Sequence, residues 1–302
     1  MFKSKNSMSR ALVRRETTAG YLFLLPSLFF FVTFVLYPMF LCIYTSFFDS
    51  NMGKNAVDVF VGLGNYKELF RDKLFLGALK NTVIIVVVAV PTVCAFSLWV
   101  ATAIYDMKPA LTSAFRCIFY LPVVTGSVAV TVVWKWMYNS RYGVFNYLFK
   151  SLGIIDQNIN WLGDARFALW CIILILFTTS VGQPIVLYVS ALGNVDHSLV
   201  EAAQVDGANR RQVFWKIKWA QIMPTTLYIL IITTINSFQC FALIQLLTSG
   251  GPTHSTDTIM YYIYYTAFKL YRYGYGNAMG VVLMIIIAVL SAVQFNLGQQ
   301  SD

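Results

Sequence analysis

Glu201-Ala202-Ala203-Gln204-Val205-Asp206-Gly207 lies in a polar, basic island between two long apolar stretches, Phe167–Leu192 and Ile222–Leu247. Each flanking stretch exceeds the ~20 apolar residues that a helix needs to cross a bilayer. The island is therefore a loop tethered at both ends to membrane-spanning helices. Working outward, Tyr21–Phe47, Thr82–Ile104, Cys117–Trp134 and Ala278–Leu297 have the same character. Runs of this length are helical, unlike the ~10-residue alternating strands of an outer-membrane barrel. A helix pairs all its own backbone groups where lipid can pair none. The expected fold is all-α, a polytopic bundle of six transmembrane helices.

Composition points the same way. Of 302 residues, 58% are hydrophobic and 12% charged, about half the charged share of a soluble domain. The first apolar stretch is too long for a signal-peptide core and lacks a small-residue cleavage pattern, so it reads as retained. Cys42, Cys94, Cys117, Cys171 and Cys240 lie in or beside apolar stretches. An odd, unclustered set forms neither a disulfide framework nor a metal site, and these read as packing residues.

The net charge of +9 is not distributed for nucleic acid. Lys3, Lys5, Arg10, Arg14 and Arg15 precede the first stretch and favour a cytoplasmic N-terminus. Six crossings return the C-terminus to that side. The predicted outer loops also carry Lys54, Lys67, Arg71, Arg141 and Lys150, so orientation rests on the first flank and the loop at Glu201. The expected organisation is a cytoplasmic segment over 1–20, a membrane domain over 21–298 with its longest inner loop at about 193–221, and a cytoplasmic tail over 299–302.

None of the six stretches carries Asp, Glu, Lys, Arg or His in its interior. Such residues mark proton relays and voltage sensors, so neither mechanism is expected. Arg116 and Lys135 sit at stretch ends, where long side chains reach the headgroups. There is no phosphate-cradling G-x-x-x-x-G-K-[ST] loop, and Gly274, Gly276 and Gly280 have the wrong spacing for a dinucleotide fingerprint. His197 and His254 are isolated, and no nucleophile–base pair is visible. The chain is expected to be no enzyme, to hold no metal or cofactor, and to draw its energy from elsewhere.

From Leu199 to Lys218 the pattern predicts a helix–turn–helix. Leu199, Ala202, Ala203 and Val205 would form one face, Glu201, Gln204 and Asp206 would be more exposed, and Gly207 would end the first helix with a positive φ. Arg210, Arg211, Lys216 and Lys218 read as charge at the lipid surface. Elsewhere, Asn65–Phe70 reads as a short surface helix and Gly250-Gly251-Pro252 as a breaker. Tyr261, Tyr262, Tyr264 and Tyr265 read as an interfacial aromatic belt.

The series Glu201-Ala202-Ala203-x-x-x-Gly207 with Ile217 beyond it resembles the EAA loop of binding-protein-dependent ABC importer permeases. Flanking motifs resemble the maltose-type carbohydrate branch: Tyr21-Leu22-Phe23-Leu24-Leu25-Pro26, Gly62-Leu63-Gly64-Asn65-Tyr66, Phe119-Tyr120-Leu121-Pro122, Trp161-Leu162-Gly163-Asp164, Phe238-Gln239-Cys240-Phe241, and Leu247-Thr248-Ser249-Gly250-Gly251-Pro252 through Thr258. The branch usually continues Ile-x-Leu-Pro, whereas this chain has Ile217-Lys218-Trp219-Ala220, which bears on how the loop is left. The resemblance implies a second homologous permease, two cytoplasmic ATPase subunits carrying ATP and Mg, and an extracytoplasmic solute-binding protein that delivers a sugar. It assigns Glu201, Ala202, Ala203, Asp206 and Gly207 to ATPase coupling, in a bacterial or archaeal inner membrane.

Sugars are recognised by hydroxyl and amide groups. Asn236, Gln239 and Cys240 share one helical face by their i, i+3, i+4 spacing, and Gly182-Gln183-Pro184 interrupts an apolar run where proline removes a helix hydrogen bond. Broken helices near the midplane are typical of transport sites. The same region contributes substrate contacts in the family, which makes Gly182, Gln183, Asn236, Gln239 and Cys240 the substrate-binding candidates. The competing reading is that these amides only tie neighbouring helices together. A self-contained channel or facilitator for small polar solutes is the alternative function, and a membrane enzyme a distant third.

Overall fold

A computed structural model describes residues 3–50 and 58–299, with side chains from 13 to 298. Lys54, tail residues 300–302 and the side chains of Lys3, Lys5 and Arg10 lie outside the described residues. Helix α1 runs over residues 3–45, with a π turn at Val32–Leu36, so the basic flank is itself helical. A two-residue hairpin, β1 (Phe48–Asp49) with β2 (Val59–Phe60), closes its end. The expected surface helix follows as α2 (Gly64–Leu69).

Helix α3 (Lys73–Tyr105) begins at a capped end: Asp72 Oδ1 accepts from the Leu74 N–H at 2.8 Å. At 33 residues it is about 50 Å long, well beyond the ~30 Å hydrocarbon core. Helices α4 (Pro109–Val124) and α5 (Ser127–Met137) come next, then the short α6 (Val144–Ser151). The chain continues through α7 (Ala168–Gly193) and α8 (His197–Val205). Helix α9 (residues 210–238) leads into α10 (Ala242–Leu247), α11 (residues 259–269) and α12 (Tyr273–Gln299).

Five helices are long and apolar enough to cross a membrane, and α4 with α5 makes a sixth crossing only as a pair bent by 96°. The stretch Cys117–Trp134, expected as one span, is thus built of two helices. Thr125 and Gly126 adopt extended backbone between them, and the Thr125 hydroxyl donates back to the Leu121 carbonyl at 2.8 Å, closing α4 there.

The interior is built by α3, α7, α9 and α12, with α4 against the second half of α7. One cluster joins Val93 and Val100 of α3 to Ile185, Tyr188 and Leu192 of α7 and to Ile222 and Ile229 of α9. A second joins Phe75, Phe238, Tyr262, Tyr275 and Met279. Between helices in lipid, hydrogen bonds supplement packing: Gln294 Nε2 of α12 donates to Thr234 Oγ1 of α9 at 2.9 Å. Helix α1 meets α12 through Tyr37–Thr45, whereas residues 13–35 are exposed throughout.

The tyrosine belt is half corrected. Tyr261 and Tyr262 are buried, at 7% and 5% exposure, because their hydroxyls find acceptors inside. Tyr261 donates to the Ser249 carbonyl at 2.9 Å, and Tyr262 to Asp72 Oδ2 at 2.7 Å. Only Tyr264 and Tyr265 are half-exposed.

Candidate functional site

Two regions gather the residues singled out from sequence. The first is α8 and the turn after it. Asp196 caps α8 by accepting from the Ser198 N–H at 2.8 Å, and hydrogen bonds from Ser198 hold its carboxyl below the usual carboxylate range. The Asp196 N–H donates to Gln221 Oε1 at 3.0 Å, which fastens the start of α8 to α9. Gly207 ends the helix with φ +86°, a conformation that side chains with a Cβ rarely adopt. Asn209 and Gln212 then form a reciprocal capping box for α9.

The faces of α8 differ from the expected division. Val200 and Ala203 turn inward and are half-buried, while Leu199, Ala202 and Val205 face out, Val205 at 88% exposure. Glu201 is also exposed, and no ion pair to it occurs among the described residues. Ala203, Asp206 and Gly207 line one depression of about 320 Å³ together with Ile217. Beyond it α9 runs unbroken through Trp219-Ala220, with a π turn at Phe214–Lys218. Alanine leaves at Ala220 the backbone N–H that proline would remove, and the helix continues past it and through Pro224.

The second region lies in the bundle, where three helical discontinuities converge. They are the α4–α5 bend at Thr125-Gly126, the break in α7 at Val181, and the non-helical Gln239-Cys240-Phe241 between α9 and α10. A cavity of about 140 Å³ is lined by Thr179, Ser180, Gln183, Pro184, Thr233 and Asn236. A neighbour of about 340 Å³ is lined by Thr125, Ser127, Gln239, Cys240 and Phe241. Val123 and Thr179 line both, so the two form one groove.

Four of the five substrate candidates thus meet here, and the fifth does not. Gly182 is buried beside the groove, where a Cβ would run into the Phe119 carbonyl and the Val123 side chain. It lets α4 approach α7. Cys240 is buried, and its carbonyl accepts from Thr258 Oγ1 at 2.8 Å. The amides of Gln183, Asn236 and Gln239 are exposed and have no hydrogen-bond partner among the described residues. They do not tie helices together, as Gln294 does. The backbone at α7 is nonetheless satisfied: Ser97 Oγ donates to the Val181 carbonyl at 3.2 Å. The sequence reading missed the hydroxyls of Ser127, Thr179, Ser180 and Thr233. The run Thr178-Thr179-Ser180, polar within an apolar stretch and just ahead of Gly182, was the available signal.

The chain is 33% identical over 288 residues to the lactose transport system permease protein LacF of Rhizobium radiobacter, covering 94% of this chain and 95% of that one. It is 31% identical over 283 residues to the multiple sugar-binding transport system permease protein MsmF of Streptococcus mutans, covering 94% and 96%. In three dimensions it is similar to a chain of a bacterial alginate ABC transporter crystallised with its alginate pentasaccharide-bound periplasmic protein. The TM-score is 0.82 over 95% of this chain and 96% of that chain, at 23% identity, a likeness of fold. Residues 60–300 match the model of one family, and the chain belongs to it: the inner membrane components of binding-protein-dependent transport systems.

Proposed function

We propose that this chain is a transmembrane permease subunit of an ATP-driven ABC importer that carries a sugar or oligosaccharide into the cytoplasm. The observation that carries the reading is the outward face of α8, where Val205 stands 88% exposed beside Ala202 and the unpaired Glu201. With Leu199, 50% exposed on the same helix, and Ala202 between them, Val205 leaves α8 an outward apolar surface of the kind that a partner covers. Two separate ATPase subunits hold ATP and Mg; one grips this α8 and the other its counterpart on a second, homologous permease. Glu201 makes the charge contact, Ala202 and Ala203 permit close approach, and Asp206 with Gly207 shapes the depression at the helix end.

In that assembly α8 and both termini are cytoplasmic, and the solute-binding protein docks on the opposite side. The groove suits a hydroxyl-rich cargo, since an amide both donates and accepts and so does each sugar hydroxyl. Gln183, Asn236 and Gln239 are the contacts to the substrate, with Cys240 forming the wall. A self-contained facilitator is not favoured, because the family's members are components of binding-protein-dependent transport systems. The test is Glu201→Lys in the intact transporter. Losing a charge contact at an interface and placing a like charge there costs about 2 kcal/mol or more, about thirtyfold. Uptake of labelled sugar is expected to fall by that factor with the assembled complex retained. Unchanged uptake would refute the coupling.

A further inference from the structure

A cavity of about 610 Å³ is neither the groove nor the depression beside Gly207. It lies between α8 and the bundle. Its walls come from the end of α3 (Thr102, Tyr105, Asp106), from α8 (His197, Val200, Gln204) and from the start of α9 (Arg210, Lys218). Its floor is apolar, with Leu192, Val195 and Val213 each at most 5% exposed. A volume of several hundred cubic ångströms with an apolar floor and a few convergent polar groups is the usual form of a ligand site.

The charges select the ligand. Arg210 and Lys218 both line the cavity, and neither makes an ion pair among the described residues. Asp106 is the one carboxylate in the lining and lies in no ion pair with either cation. The Lys218 ammonium is held over the Tyr105 ring, 5.4 Å from its centroid, which fixes it at the wall. Two cations over an apolar floor, one of them held in place over Tyr105, are complementary to an anion on an apolar or compact body. Arginine matches the oxygen spacing of phosphate and lysine serves as a point charge beside it. The exposed Trp215 packs its ring against Trp219, 5.5 Å between centroids, and such aromatics sit at headgroup level in a membrane. Basic pockets between membrane helices bind phosphorylated lipid headgroups.

We propose that this cavity binds a phosphate group between Arg210 and Lys218, carried either by an anionic phospholipid or by a free phosphate. Because α8 supplies one wall and the bundle the others, an occupied cavity holds α8 at one distance from α9. The ligand therefore sets how α8 follows the bundle.

The experiment uses the assembled transporter in detergent, with retained lipid read by native mass spectrometry during titration with phosphatidylglycerol or phosphatidylcholine, and with inorganic phosphate as competitor. Phosphatidylglycerol is expected to be retained over phosphatidylcholine. Arg210→Gln with Lys218→Gln is expected to weaken it about thirtyfold, as the loss of two surface cations predicts. Arg211→Gln, an equal kind of charge change outside the cavity lining, is expected to leave retention unchanged. Val200→Phe fills the cavity with all charges kept, and is expected to lower retention should the double variant assemble poorly. Displacement of the lipid by millimolar phosphate identifies free phosphate as the source, and resistance to it identifies the lipid. Equal retention of both lipids with no effect of phosphate overturns the proposal, as does retention by the Val200→Phe variant equal to that of the native chain.

Discussion

Gly182 and Gly126 look alike in the sequence, each a lone glycine near the middle of an apolar stretch, yet the structure gives them opposite tolerance. A Cβ on Gly182 would strike the Phe119 backbone and Val123, whereas one placed on Gly126 meets nothing among the described residues within 4 Å beyond its chain neighbours. Gly182→Ala is therefore expected to cost about 1–3 kcal/mol, the usual range for overpacking, and Gly126→Ala less than about 1 kcal/mol. Thermal unfolding of the purified subunit in detergent compares the two, and equal losses would contradict the packing role. At this scale the amides of the groove were legible, because a polar atom in an apolar run stands out whatever the fold. The hydroxyls were not, since a threonine in a membrane helix usually bonds its own preceding turn, as Thr179 does to the Ile175 carbonyl at 3.0 Å. Burial of Tyr261 and Tyr262 was hidden for a different reason. The Tyr262 acceptor, Asp72, lies 190 residues away, beyond any local pattern.

That same Asp72 joins three elements. Its Oδ1 caps α3, and its Oδ2 accepts from Tyr262 of α11 at 2.7 Å and from Tyr275 of α12 at 2.9 Å. Partial desolvation pushes the carboxyl up, but the hydrogen bonds from Tyr262, Tyr275 and the amides of Leu74 and Phe75 outweigh it and leave it below the usual value. The folded chain thus holds the ionised form more tightly than the unfolded chain does. The stabilisation is fully present above an unfolded value of about 4 and is lost as pH falls through the lower folded value. Asp72→Asn is expected to cost about 1–2 kcal/mol at neutral pH, with the difference from native closing below pH ~4. A gap that stays constant with pH would show that the charge is irrelevant. Among elements, the long helices were legible from hydropathy alone. The bend between α4 and α5 was not, because hydropathy sums composition and is blind to extended backbone at two residues.

For the whole molecule, the four interior helices hold each other, while residues 13–35 are exposed throughout. Removing the chain through residue 35 is expected to leave the unfolding temperature of the isolated subunit within about 2 °C of native, since residues 13–35 are exposed throughout. Slow thiol labelling of the buried Cys171 and Cys240 should persist in the same variant. Faster labelling would mean that α1 supports the bundle after all. The fold class and the placement of the island between two spans could be read from the chain because both depend on segment length and polarity. Which face of α8 turns inward could not, because a nine-residue helix with alanines on both sides has no strong apolar stripe.

The three discontinuities around the groove have a mechanical consequence. Only the first bends its helices sharply, by 96°, and the other two are lapses of one to three residues, but weak points side by side form a crease at which the bundle bends first. From Val181 to the end of α7 is 12 residues, an arm of about 18 Å. A rotation of about 5° at the crease moves that end by about 1.5 Å on such an arm. Gln221, bonded to the Asp196 backbone, passes the stroke between α8 and α9. The groove lies on that crease, so such a rotation would change its width.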